Sequence, residues 1–215
     1  MRQTGPMPGV ILTTDAQLAA AAAELAAREA AFARALPLIG PLPLRRVPDG
    51  FLALRDSIIG QQVSVASARA IRARLDAAGF GQEDAVAAAG EAALRGCGLS
   101  RQKIRYLSAL AQARLEYPML REMPNEAVVA TLVALPGIGR WTAEMYLMFA
   151  LGRADVFAPD DLALAEAARL LFDLPDRPRP KPFAALAAPW APWRAVAARL
   201  LWAYYAQAKR REGVG

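Results

Sequence analysis

The chain has 215 residues, 55% hydrophobic and 21% charged, which describes a globular protein able to bury a substantial core and not a disordered tail. Basic side chains outnumber acidic ones by 26 to 20, and only Lys103, Lys181 and Lys209 are lysines, so the net charge of +6 is mostly arginine and suits phosphate-rich partners. There is no histidine and the sole cysteine is Cys97, which excludes zinc fingers, Cys-ligated iron–sulfur clusters, intrachain disulfides and Ser-His-Asp or Cys-His catalysis.

Any acid–base or nucleophilic step must therefore rest on Asp, Glu, Lys, Tyr or Ser. Residues 1–14 read as a flexible start without the apolar core of a signal peptide. No apolar run approaches the roughly 20 residues that span a bilayer. A cytoplasmic protein of bacterial type, free of membrane, is expected.

In chain order, residues 15–36 are Ala/Leu-rich and predict one helix with Asp15 as its N-cap. A Pro-rich connector, PLIGPLPLRRVPDG, leads to FLALRDSIIGQQVSVASARAIRARL at 51–75, where Gly60 predicts a break and a new helix near Gln62 to Ser64. Short helices follow at 82–88 and 91–95, and Ser100 is placed to cap a helix from 101 to about 116. Further helices are predicted at 125–133, 139–151, 160 to about 172, and 192–211, with DLPDRPRPKP as a loop. No strand alternation and no fixed-period repeat appears, so the fold class is all-α.

Two stretches carry chemistry. LPGIGRWT at 135–142 puts two glycines between helices, leaving backbone amides of the second helix without internal partners beside Arg140. Such a turn can cradle a phosphate oxygen, or it can be an ordinary helical hairpin. Asp160-Asp161 follows Pro159 at a helix start, where the pair can act simply as capping residues. A fixed carboxylate there can equally stabilise a developing positive charge.

The wider sequence resembles the helix-hairpin-helix DNA glycosylases, and more closely their 3-methyladenine DNA glycosylase II (AlkA-type) branch. The likeness is carried, in order, by SIIGQQVSVASA, GCGLSRQKIRYLSALA, LPGIGRWTAEMYLMFALGRADVFAPDDLAL and WAPWRAVAARLLW, over roughly residues 50–205. The resemblance implies a compact form without the α/β domain that precedes the helices in larger members. It implies a two-lobed body, one lobe at about 52–133 and the other at about 15–48 with 134–211, the hairpin motif spanning 133–142 and the active site in a cleft between the lobes.

It also implies an enzyme that flips alkylated bases, such as 3-methyladenine, out of duplex DNA and hydrolyses the N-glycosidic bond. Asp161 takes the place of the family's catalytic aspartate, with Asp160 as its rival. Trp141 and Trp202 match pocket tryptophans, while the pocket tyrosine position falls on Met145, next to Tyr146. Gln62 stands where the family inserts a wedge, although a role for Gln61 and Gln62 in satisfying the helix junction fits as well. Gly137, Gly139, Arg140 and Thr142 face DNA in the resemblance. The carbonyls of Val133, Leu135 and Ile138 correspond to ligands of a monovalent cation, Na⁺ or K⁺; no other cofactor is called for. Relatives that also cut the strand carry a lysine directly after the hairpin arginine; here that residue is Trp141, so a monofunctional hydrolase acting as a monomer on double-stranded DNA is expected. The competing readings are a glycosylase for uracil or oxidised bases, a non-catalytic DNA-binding protein, and a helical scaffold for protein partners.

Overall fold

The structure, a computed structural model, describes residues 9–211. Thirteen helices are present among them: α1 Asp15–Arg28, α2 Ala30–Ile39, α3 Phe51–Gly60, α4 Val65–Ala77, α5 Glu83–Ala88, α6 Glu91–Gly96, α7 Arg101–Gln112, α8 Tyr117–Glu122, α9 Asn125–Val133, α10 Arg140–Met145, α11 Leu162–Leu171, α12 Pro180–Ala187 and α13 Arg194–Arg211. A single isolated bridge, Ile11 with Arg153, is the only β-type pairing among the described residues. The all-α expectation holds.

The chain forms two compact units, Val47–Tyr146 and residues 9–46 with 147–211. This differs from the expected division in where the hairpin goes. Residues 134–146 belong with the first unit, because Ile138 is buried there and Gln61 Nε2 donates to the Gly137 carbonyl at 2.8 Å. Gly137, at φ +85°, also lies so close to Tyr106 that a Cβ would sit 2.3 Å from that ring. Only glycine fits both the backbone and the space.

In the Val47–Tyr146 unit, α3 packs on α4 and α7. The core is aliphatic: Leu54, Ile58, Leu75, Leu107 and Leu132 are all fully buried. Burial of such side chains, about 1.5–3 kcal/mol each, holds these short helices, which would not persist alone. Buried Arg55 pairs with its neighbour Asp56 and with Asp76 on α4. The helix expected to run to about 116 stops at Gln112; Arg114 adopts φ +47° and α8 begins at Tyr117 with Pro118 in its first turn.

In the second unit, α13 packs on α2, α11 and α1. The predicted helix 15–36 is two helices. Glu29, extended at φ −132°, ends α1 and caps α2 by accepting from the Ala31 amide at 3.2 Å. Asp15 is not the cap of α1: Thr14 is, in a capping box with Gln17. Thr14→Ala is expected to cost about 1 kcal/mol, read as a lowered denaturant midpoint with unchanged slope. Residues 9–14 are held in place and not flexible, since Leu12 is buried and its amide donates to Gly152 at 2.8 Å. Arg46 ties the same segment by donating to the Leu12 and Ala150 carbonyls. Residues 1–8 lie outside the described residues.

The expected helix 139–151 is the six-residue α10 followed by a π-helical turn, Tyr146–Ala150. The Pro-rich loop at 173–182 ends early, because Pro180 and Pro182 occupy the first turn of α12, where proline costs no hydrogen bond. No helix among the described residues is long and apolar enough to cross a membrane.

Candidate active site

The carboxylate comes first. The Asp161 amide donates to the Ala158 carbonyl at 3.1 Å, closing a turn over 159–160 that delays the helix start to Leu162. Asp161 is therefore the N-cap of α11, and Asp160 is exposed outside it. Asp161 Oδ1 accepts from the Ala163 and Leu164 amides, both at 2.9 Å. The Trp202 indole also donates to that oxygen, at 3.3 Å. Three donors and a helix N-terminus fix one carboxylate at the edge of an indole ring.

Trp202 sits on α13, half-buried, with its ring 5.8 Å from Phe149. It is one wall of a cavity of about 120 Å³ lined also by Leu42, Pro43, Arg45, Phe149 and Arg199. The Arg199 guanidinium lies over Phe149 at 4.4 Å from the ring centre. Burial, and then the nearby Arg46 and Arg45 charges, pull its pKa down to about 10.

The hairpin belongs to the other unit. Leu135 and Ile138 close the turn through Ile138 N to Leu135 O at 3.2 Å, and Gly139 caps α10 in an extended conformation. Arg140 is half exposed and bonded to two carboxylates, Glu126 at 2.9 Å and buried Glu144 at 3.0 Å. Glu126 is first among the causes that raise its pKa, so the guanidinium is held charged at the turn. The Thr142 side chain is buried, and its backbone amide lies in the first turn of α10. Trp141, in contrast, is 44% exposed, an unusual state for so large an indole. Met145 is half-buried. Its neighbour Tyr146 turns inward and donates to Asp49, and burial raises its pKa.

Gln62, exposed and at φ +55°, forms the tip of the turn between α3 and α4. Gln61 beside it is the hairpin tether already noted. Lys103, buried on α7, donates to the Ile59 carbonyl at 2.6 Å and so caps the end of α3. Burial lowers its pKa. Of the candidate cation ligands, Val133 ends α9, where carbonyls lack intrahelical donors, while the Leu135 oxygen already accepts one amide.

Sequence reasoning missed Phe149, Arg45, Arg199 and the tether role of Gln61. One signal was available: Arg199 stands three residues before Trp202 in an otherwise apolar stretch, AARLLW.

Residues 56–192 match the HhH-GPD superfamily of base excision DNA repair proteins. DNA-3-methyladenine glycosylase 1 of Schizosaccharomyces pombe is 38% identical over 114 residues, 51% of this chain and 50% of the relative. The chain spans about half the length of the curated fission-yeast relatives it matches. Among solved structures, S. pombe 3-methyladenine DNA glycosylase (Mag1) in complex with abasic DNA superposes with a TM-score of 0.74 at 28% identity, covering 85% of this chain and 95% of that one. DNA-3-methyladenine glycosidase from Bacillus halodurans gives 0.78 at 28% identity, covering 93% and 92%. The chain belongs to the HhH-GPD superfamily of base excision DNA repair proteins.

Proposed function

We propose that this protein is a monofunctional DNA glycosylase that hydrolyses the N-glycosidic bond of alkylated bases, 3-methyladenine among them, in double-stranded DNA. The observation that carries this reading is Asp161, fixed at the start of α11 by two amides and bonded to the Trp202 indole. As the bond to the base lengthens, positive charge builds on the sugar, and a preorganised carboxylate beside it lowers that barrier. Water then adds its oxygen to C1′, its proton leaves to solvent or to the departing base, and an abasic site and free base remain. Trp202 offers the flipped base an aromatic face, which attracts electron-poor alkylpurines by about 0.5–2 kcal/mol. In the other unit, Trp141 and Met145 are proposed as base-contacting residues and Gln62 as the residue that fills the space a flipped base leaves.

Gly137, Gly139, Arg140 and the Thr142 amide would hold phosphate, with the carbonyls of Val133, Leu135 and Ile138 able to take a Na⁺ or K⁺ ion as hard oxygen ligands. Strand cleavage needs an exposed amine to form a Schiff base. Lys103 is buried on the Ile59 carbonyl and Trp141 stands after the hairpin arginine, which supports hydrolysis alone. The protein would act as a monomer in the cytoplasm, on the chromosome.

Incubation with methylated duplex DNA is expected to free 3-methyladenine, identified by chromatography, leaving an unbroken abasic strand until alkali is added. Absence of any freed base would overturn the reading. Duplex binding is expected to weaken roughly a hundredfold between 50 and 200 mM salt, the slope for three or four phosphate contacts.

A further inference from the structure

The hairpin turn packs on a side chain with hydrogen-bonding capacity to spare. Tyr106, on α7, lies with its ring against Gly137, where an added Cβ would sit 2.3 Å away. Gln102, Arg105 and Tyr106 stand at i, i+3 and i+4 and so share one face of that helix. Another face, with Ile104, Leu107 and Ala111, is the buried one. The Gln102 amide donates to the Tyr106 hydroxyl oxygen at 2.6 Å, in an exposed bond. That makes the oxygen an acceptor and leaves its proton to donate outward. Gln102, and then Arg105, lower the pKa of this phenol, which strengthens its O–H as a donor.

Charge singles out the neighbouring residue. Arg140, at the turn itself, is bonded to Glu126 and Glu144, so carboxylates match its charge. Arg105 is exposed, and among the described residues no carboxylate pairs with it. Its guanidinium stands instead 5.3 Å from the centre of the Tyr106 ring. One outward hydroxyl donor and one uncompensated cation therefore lie together beside the turn, a combination that suits an oxyanion.

We propose that Tyr106 and Arg105 form a second phosphate-binding site on α7, holding a backbone phosphate of duplex DNA next to the one assigned to the hairpin. This rests on duplex DNA as the partner, and it divides the work within that reading. Tyr106 supplies a neutral hydrogen bond, held in place by Gln102, while Arg105 supplies the charge that releases a counterion.

The test is binding of an undamaged duplex, so that base release plays no part. Tyr106→Phe keeps the ring against Gly137 and loses only the hydroxyl. Its affinity is expected to fall about three- to tenfold with the salt dependence unchanged. Arg105→Gln is expected to lower the slope of log K against log salt by about 0.9, so the roughly hundredfold loss between 50 and 200 mM salt shrinks to about thirtyfold. Arg95→Gln, at an exposed arginine paired with Glu91 on α6, changes the net charge equally and is expected to keep the parent slope. Equal slope changes in Arg105→Gln and Arg95→Gln would reduce the effect to net charge and overturn the proposal. A Tyr106→Phe protein that melts lower yet binds like the parent would also overturn it, leaving the Gln102 bond a helix-stabilising contact. No duplex binding by the intact protein would end the DNA reading and this site together. Intact binding with both variants unchanged would end the site alone.

Discussion

Asp161→Asn is expected to slow release of 3-methyladenine from methylated duplex DNA by about 10²–10³-fold, with helix content and thermal midpoint close to the parent's. The two halves of this expectation come from different properties of one side chain. As an N-cap, asparagine replaces aspartate almost without cost, because its oxygen still accepts from the Ala163 and Leu164 amides and the Trp202 indole. As an electrostatic group it fails, because the charge proposed to face the sugar is gone. The loss of one preorganised charge-stabilising group in other enzymes is of that size. The measurement is base release under single-turnover conditions, paired with a melting curve. A variant that releases base at the parent rate would leave Asp161 a capping residue and nothing more. Asp160→Asn is the control: exposed and outside the cap, it is expected to change the rate less than about threefold.

The second large effect is on stability. Phe32→Ala is expected to destabilise the unit that carries Asp161 by about 3–5 kcal/mol. Phe32 is fully buried on α2, with edge-on contacts to Trp190 at 5.1 Å and Phe172 at 5.7 Å. Phe172 and Trp190 stack on one another, and Trp190 reaches Phe157, which in turn packs on Phe183. This aromatic cluster joins α2, the end of α11, and α12, so truncating Phe32 leaves a cavity bounded by rigid rings that cannot collapse into it. In a chain of this size the thermal midpoint is expected to fall by roughly 6–20 °C. A shift under about 2 °C would mean the ring contributes little beyond filling space.

Much of the site was legible because its signals are local. Two glycines one residue apart, a proline before them, and an aspartate pair ahead of an apolar helix each dictate backbone geometry within a few residues. The ordered motifs around them placed the rest. Where local signals competed, the sequence was ambiguous. Either Asp160 or Asp161 could cap a helix, and only the Ala158–Asp161 turn selects the second. Residues 15–36 contain no glycine or proline at the break, since nothing in an alanine-rich run marks Glu29 as a boundary. The break lets α1 pack on α2, with Leu18 and Leu25 of the first and Phe32 and Ala35 of the second all buried.

The sequence by itself determined an all-helical chain, the hairpin turn, and the aspartate pair worth testing. It did so because capping, glycine φ and helical periodicity act over one or two turns of chain. Only the tertiary structure decided that the hairpin packs with Val47–Tyr146, that Thr142 faces inward, and that Arg199 is buried over Phe149 beside Trp202. Those outcomes depend on which distant surfaces exclude water together, as with Gln61 and Gly137, 76 residues apart in the chain. No local pattern of residues encodes them.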